Sequence, residues 1–138
     1  MVKDAIPHVD RARLDLTIPL IPSSLNEWTR AHWSARNRER KAVADVVHPR
    51  LLLAGCRSGR PLFREPVRVT LTYHVAPRLR KQRIDLDNMA PKHIIDALRG
   101  WVFPDDGPEW LAELVQRVSE GAGADTTTVA VEPVAGPS

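Results

Sequence analysis

An α+β fold, a small sheet of about four strands packed against two main helices, is what this sequence predicts. Three features carry that expectation: two stretches alternate apolar and polar residues with period two, two others repeat apolar residues at helical spacing, and Gly/Pro-rich turns separate them. At 138 residues the chain is long enough for one ordinary core and short for two, so a single domain is expected over 1–138, with 1–12 and 133–138 as flexible tails. An apolar share of 43% with 27% charged residues excludes wholesale disorder, and no apolar run reaches the length of a bilayer span.

Leu14, Leu16, Ile18 and Leu20 alternate with Asp15, Thr17 and Pro19, which places one set of side chains on a single sheet face. Pro19 ends this first strand early or confines it to an edge. Residues 28–33 read as a loop. A helix then begins near Ser34, with Ala42, Val43, Val46 and Val47 as its apolar stripe, and Pro49 is expected to kink or end it. A loop over 55–66 precedes the strongest strand, where Val67, Val69, Leu71, Tyr73 and Val75 face the core and Arg68, Thr70, Thr72 and His74 face away.

The second helix is expected over about 88–99, capped by Asp87 or Asn88, with Pro91 in its first turn, Ile94, Ile95 and Leu98 as its stripe, and Gly100 as its stop. Residues 110–119 suit a helix and a strand equally. Residues 126–132 suit a strand better, and the Gly-Ala-Gly-Ala turn at 121–124 joins the two segments as a hairpin.

Charge is divided unevenly along the chain. Residues 1–100 hold nineteen of the 20 Lys and Arg against ten of the 17 Asp and Glu, a balance of +9, whereas 101–138 carry Arg117 against seven acids, a balance of −6. Such a division fits a basic surface for a polyanion beside an acidic element able to hold cations, and it also fits a solvated surface with an acidic tail. Cys56 is the one cysteine, which excludes an internal disulfide and a cysteine-built zinc site; it reads as an inert loop thiol. The polar first ten residues lack the apolar region of a secretory signal, so a cytoplasmic protein is expected.

Asp85 and Asp87 lie two apart between the strong strand and the second helix, so in extended chain their carboxylates point to one side, a geometry that suits a shared hard cation. Taken alone, the same pair serves as a helix cap. Asp105 and Asp106 stand in Pro104-Asp105-Asp106-Gly107-Pro108, which is turn chemistry, yet a helix of about 15–18 Å at 1.5 Å per residue lets this loop fold back towards its start. Arg78, Arg80, Lys81 and Arg83 immediately precede Asp85, and cations beside metal-holding carboxylates are what a phosphodiester substrate requires. Arg36, Arg38, Arg40 and Lys41 add a second basic cluster on the first helix. Lys92 can reach a phosphate oxygen or pair with Asp96 one turn on. Trp33, with His32, can stack on exposed bases, although a tryptophan at this place is more often core. The five histidines are scattered with no zinc-ligand spacing on one element.

Arg83-Ile84-Asp85-Leu86-Asp87-Asn88, then Lys92, then Ile95-Asp96-Ala97-Leu98, then Asp105-Asp106 resembles the signature of the RusA-like Holliday junction resolvases. Ile21-Pro22-Ser23-Ser24-Leu25-Asn26 is similar to that family's opening segment, and the likeness runs from about residue 14 to 132. The resemblance implies a RusA-like mixed α+β fold with residues 110–119 as a strand. It further implies a homodimeric crossover junction endodeoxyribonuclease that uses Mg2+, with Mn2+ as a substitute, to resolve four-way DNA junctions by paired symmetric nicks in a bacterial or phage-infected cell. Asp85, Asp87 and Asp106 match the metal-binding acids and Lys92 the essential lysine, while Asn26 joins the basic residues as a DNA contact. Two rival readings remain open: a metal-dependent nuclease for other branched or single-stranded DNA, and a non-catalytic DNA-binding protein whose aspartates are caps and turns.

Overall fold

A computed structural model of the chain describes residues 8–9, 13–22, 32–77, 89–121 and 123–134. Its elements are β1 (His8–Val9), β2 (Leu14–Ile18), α1 (Trp33–Leu53), β3 (Val67–Val75), α2 (Lys92–Leu98), β4 (Leu111–Glu120) and β5 (Thr126–Pro133). The architecture is α+β: four long strands and the two-residue β1 make one mixed sheet, ordered β1-β2-β5-β3-β4, and two helices pack on its apolar face. Among the described residues no helix is long and apolar enough to cross a membrane.

Strand β3 organises the rest. Its alternation is followed residue by residue, with Val67, Val69, Leu71 and Tyr73 fully buried, Val75 nearly so, and the residues between them half-buried on the opposite face. β5 runs antiparallel between β2 and β3, and β4 runs parallel to β3 at the edge of the sheet. This arrangement corrects the expected hairpin at 121–124. The five-residue connection steps over the end of β3 and is held there, where Gly121 N–H donates to Val75 O (3.1 Å) and Ala76 N–H donates to an Asp125 carboxylate oxygen (2.9 Å). The Thr- and Val-rich β5 thus takes the inner position, whereas β4 carries Glu113, Arg117 and Glu120, charges that suit an edge. Pro19 ends β2 early, as its missing donor requires, but β2 is not an edge because β1 and β5 flank it.

Helix α1 runs through Pro49 instead of ending there and continues to Leu53. The carbonyl that Pro49 leaves without a donor belongs to Asp45, which is exposed to water, so the usual penalty is softened. The helix also begins one residue before Ser34, and its buried stripe is Val43, Val47 and Leu51, with Val46 half-buried and Ala42 exposed. Arg50 ties it to the sheet by donating to Thr17 O at 3.0 Å, and it donates to Val46 O, one turn back in its own helix, at 3.0 Å. His48 stacks on Trp101 at 4.5 Å, and its Nε2 lies 3.0 Å from Ala97 O, which locks α1 to the end of α2.

Helix α2 is shorter than expected: it starts at Lys92 with Pro91 as N-cap, so residues 89–91 are not part of it, and Asp87 and Asn88 lie outside the described residues. Pro91 fits this place because its missing N–H would have had no intrahelical partner. Ile94, Ile95 and Leu98 are buried as the periodicity requires, joined by His93 and Ala97. At the other end Gly100 adopts φ +81° and donates to Phe103 O at 2.8 Å. A Cβ there would meet nothing within 4 Å, so Gly100→Ala is expected to lose about 1–2 kcal/mol from backbone strain alone, read as a lower urea midpoint. The expected tails need trimming as well: His8–Val9 pairs with β2, and Val134 N–H donates to Pro66 O at 3.0 Å.

Tyr73, the single tyrosine, is buried, and its hydroxyl donates to Gln116. Burial raises its pKa well above the ordinary 10.0. In the unfolded chain the phenol ionises first, so this contribution to stability is intact below pH 10.0 and is lost as pH rises from there towards the folded-state value. Tyrosinate absorbance should therefore rise only together with the loss of far-ultraviolet dichroism; ionisation of the folded protein near the ordinary value would contradict it.

Candidate functional site

The loop after α2 returns to the start of that helix. Phe103, fully buried, anchors it, and Val102 N–H donates to Leu98 O at 2.8 Å. The next residues, Pro104 to Pro108, then turn across the helix flank. Asp106 comes to line one cleft of about 320 Å³ together with Ala90, Pro91, Lys92, Ile95, Asp96, Leu111 and Leu114. Lys92 and Asp106, from opposite ends of the α2 segment, thus border the same space.

The two neighbouring aspartates of the turn are not equivalent. Asp105 is exposed, lies 3.9 Å from Arg99, and accepts the backbone N–H of Asp106 at 2.9 Å. Asp106 is half-buried and faces the cleft. Asp96, which sequence reasoning took as a partner for Lys92 and as part of the resolvase-like signature but not as a site residue, borders the cleft too; its side chain is 15% exposed and pairs with Lys92 at 3.5 Å. Its i,i+4 spacing from Lys92 was the available signal. The pair is made, and it leaves Lys92 on the cleft rim, so the structural and the functional reading of that lysine are compatible.

The cleft joins two apolar walls, from Ile95 and from Leu111 and Leu114, to a polar rim of one ammonium and two carboxylates. Oxygen donors of this kind suit a hard divalent cation. Among the described residues no group of three metal-ligating side chains lies close together. Asp85 and Asp87 lie outside the described residues, as do Asn26, Arg78, Arg80, Lys81 and Arg83.

The other basic cluster is described and lies on α1, which contacts α2 through its second turn. His93, next to Lys92, has its Nε2 3.8 Å from a carboxylate oxygen of Glu39 in the second turn of α1. That distance is too long for a hydrogen bond, and both ring nitrogens of this buried histidine lack one among the described residues, yet the contact sets the start of α2 against the first turns of α1. Arg36, Arg38, Arg40 and Lys41 occupy those turns, with Arg38, Arg40 and Lys41 exposed. Trp33 overturns the expectation of a core tryptophan: it is 72% exposed. His32 caps the helix, its Nδ1 accepting from Ser34 N–H at 3.3 Å, a role not foreseen because histidine is an uncommon cap.

The outer face of the sheet is a different surface. Arg13 pairs with Asp15 (2.9 Å) and Glu132 (3.8 Å), and Arg68 with Glu132 (3.6 Å) and Glu113. With Arg117 these residues line a hollow holding three cations and three carboxylates, a balance unsuited to a polyanion. His74 belongs to this face and meets Thr128 at 3.1 Å.

No family model matches the chain, and no curated protein matches it.

Proposed function

We propose that this chain is a RusA-like, magnesium-dependent endonuclease that resolves four-way DNA junctions by paired nicks, working as a homodimer. The observation that supports the reading is the return of Asp106 to the start of α2, where it shares a cleft with Lys92. Residues that make only caps and turns have no need to meet across fourteen positions of sequence.

In this reading Asp85, Asp87 and Asp106 hold the cation. When bound, the ion supplies positive charge that polarises the scissile phosphate and activates water for in-line attack. Lys92 stands where its ammonium can meet a non-bridging phosphate oxygen and offset charge that grows in the transition state, and its pairing with Asp96 restricts the side chain for that task. Arg36, Arg38, Arg40 and Lys41 bind the backbone of an adjoining arm, together with Arg78, Arg80, Lys81, Arg83 and Asn26. A two-fold dimer would present one site to each of two equivalent strands.

The test is a labelled synthetic four-way junction incubated with the protein, with Mg2+ and with a chelator, alongside Asp85→Asn and Asp87→Asn. Symmetric nicks that need the metal and vanish in both variants are expected. A shifted but uncut junction would leave a DNA-binding protein, and equal cutting of flaps or single strands would assign the other nuclease class.

A further inference from the structure

We propose that Trp33 stacks on an unpaired nucleobase while Arg36 and Arg40, along the same face of α1, hold flanking phosphates, so that the first two turns of this helix recognise single-stranded character in DNA. The inference rests on the nuclease reading for its setting, but its evidence is separate.

Trp33 and Leu51 are 18 residues apart, five full turns of helix, and therefore point to the same side of α1. Leu51 is fully buried and Trp33 is 72% exposed. The helix face that serves as core stripe at its C-terminal end thus runs beyond the core at its N-terminal end, and there it presents an indole instead of a small polar residue. Arg36 and Arg40 follow at i+3 and i+7 on that face. Over residues 33–41 four cations oppose one acid, Glu39, which is turned towards His93.

An exposed aromatic among cations is the combination that binds single strands, because every base offers a face to stack on and every nucleotide a phosphate. Other occupants fit less well. A membrane surface needs a continuous apolar face, and the other large exposed apolar residues of α1, Leu52 and Leu53, stand at its far end. A second copy would set two basic patches against each other. In duplex DNA each base face is already covered by the neighbouring base pair, which removes the stacking partner, so the preference is for strands that are unpaired, as at a branch point.

Binding without divalent metal tests the proposal apart from cleavage. Affinities of wild type, Trp33→Ala and Trp33→Phe are measured for a labelled single strand, the same strand with abasic sites, and its duplex, with far-ultraviolet dichroism as the folding control. Trp33→Ala should weaken single-strand binding about 5- to 100-fold, Trp33→Phe much less, and duplex binding should hardly change; abasic sites should weaken the wild type comparably. Equal loss on duplex, no loss on the single strand, or Trp33-dependent binding to phosphatidylserine vesicles without single-strand preference would overturn it. Nicking without any Trp33 effect on affinity sinks the stacking alone, whereas Trp33-dependent binding with no nicking under Mg2+ sinks the nuclease reading alone.

Discussion

Asp106→Asn is expected to lower magnesium-dependent nicking of a four-way junction by about 10²–10³-fold, with junction affinity and folding largely retained. The substitution removes one negative charge from the cleft shared with Lys92 and Asp96 and leaves the turn intact, since asparagine suits a turn as well as aspartate does. The local hydrogen bond at this place comes from the Asp106 backbone N–H, which donates to Asp105, so the side chain can change without loosening the loop. Asp105→Asn is the internal comparison. Asp105 is exposed and set against Arg99, and its loss should affect nicking far less. If the two variants lose activity equally, the assignment of Asp106 over its neighbour is wrong; if neither does, the carboxylate site is.

Phe103→Ala should carry the largest stability loss, about 3–5 kcal/mol, from a deleted aromatic ring and the cavity left behind. Phe103 is fully buried in the core shared by α1, α2 and the sheet. Its carbonyl also accepts from Gly100 N–H, and its backbone pairs with Arg99, so the ring fastens the turn that delivers Asp106. Urea unfolding is expected to show a lower midpoint at nearly constant slope, with nicking reduced in step at temperatures where the variant remains folded. Phe103→Leu, which refills most of the volume, should recover most of both. A variant as stable as the wild type would show that the turn is not held by this ring.

Much of the fold was legible in advance because its signals are local. Alternation over 67–75 needs only the period of a strand, and Gly100 declares a helix stop through its own backbone freedom. The failures share another cause. The glycines at 121–124 are good turn residues, but whether a turn joins neighbours or steps over a third strand depends on what α2 has already placed beside β3. Pro49 was expected to kink or end α1, because a missing donor is a local fact; that the helix continues past it rests on the packing of Val47 and Leu51, which is not local. Of the candidate site, the residue types and the return of the 104–108 loop were readable; the division of labour between Asp105 and Asp106, the part of Asp96 and the exposure of Trp33 were not.

Periodicity, turn chemistry and charge order act between residues close along the chain, so the sequence by itself determined β2, β3 and β5, the two helices, most of their buried faces and the basic character of α1, whereas β1 and the strand at 111–120 were not decided by it. Strand order, the parallel pairing of β4 and the meeting of Lys92 with Asp106 depend on contacts between distant segments, whose free energy exists only once the core has closed. Only the tertiary structure decided those, and it decided them by where α2 and Phe103 are buried.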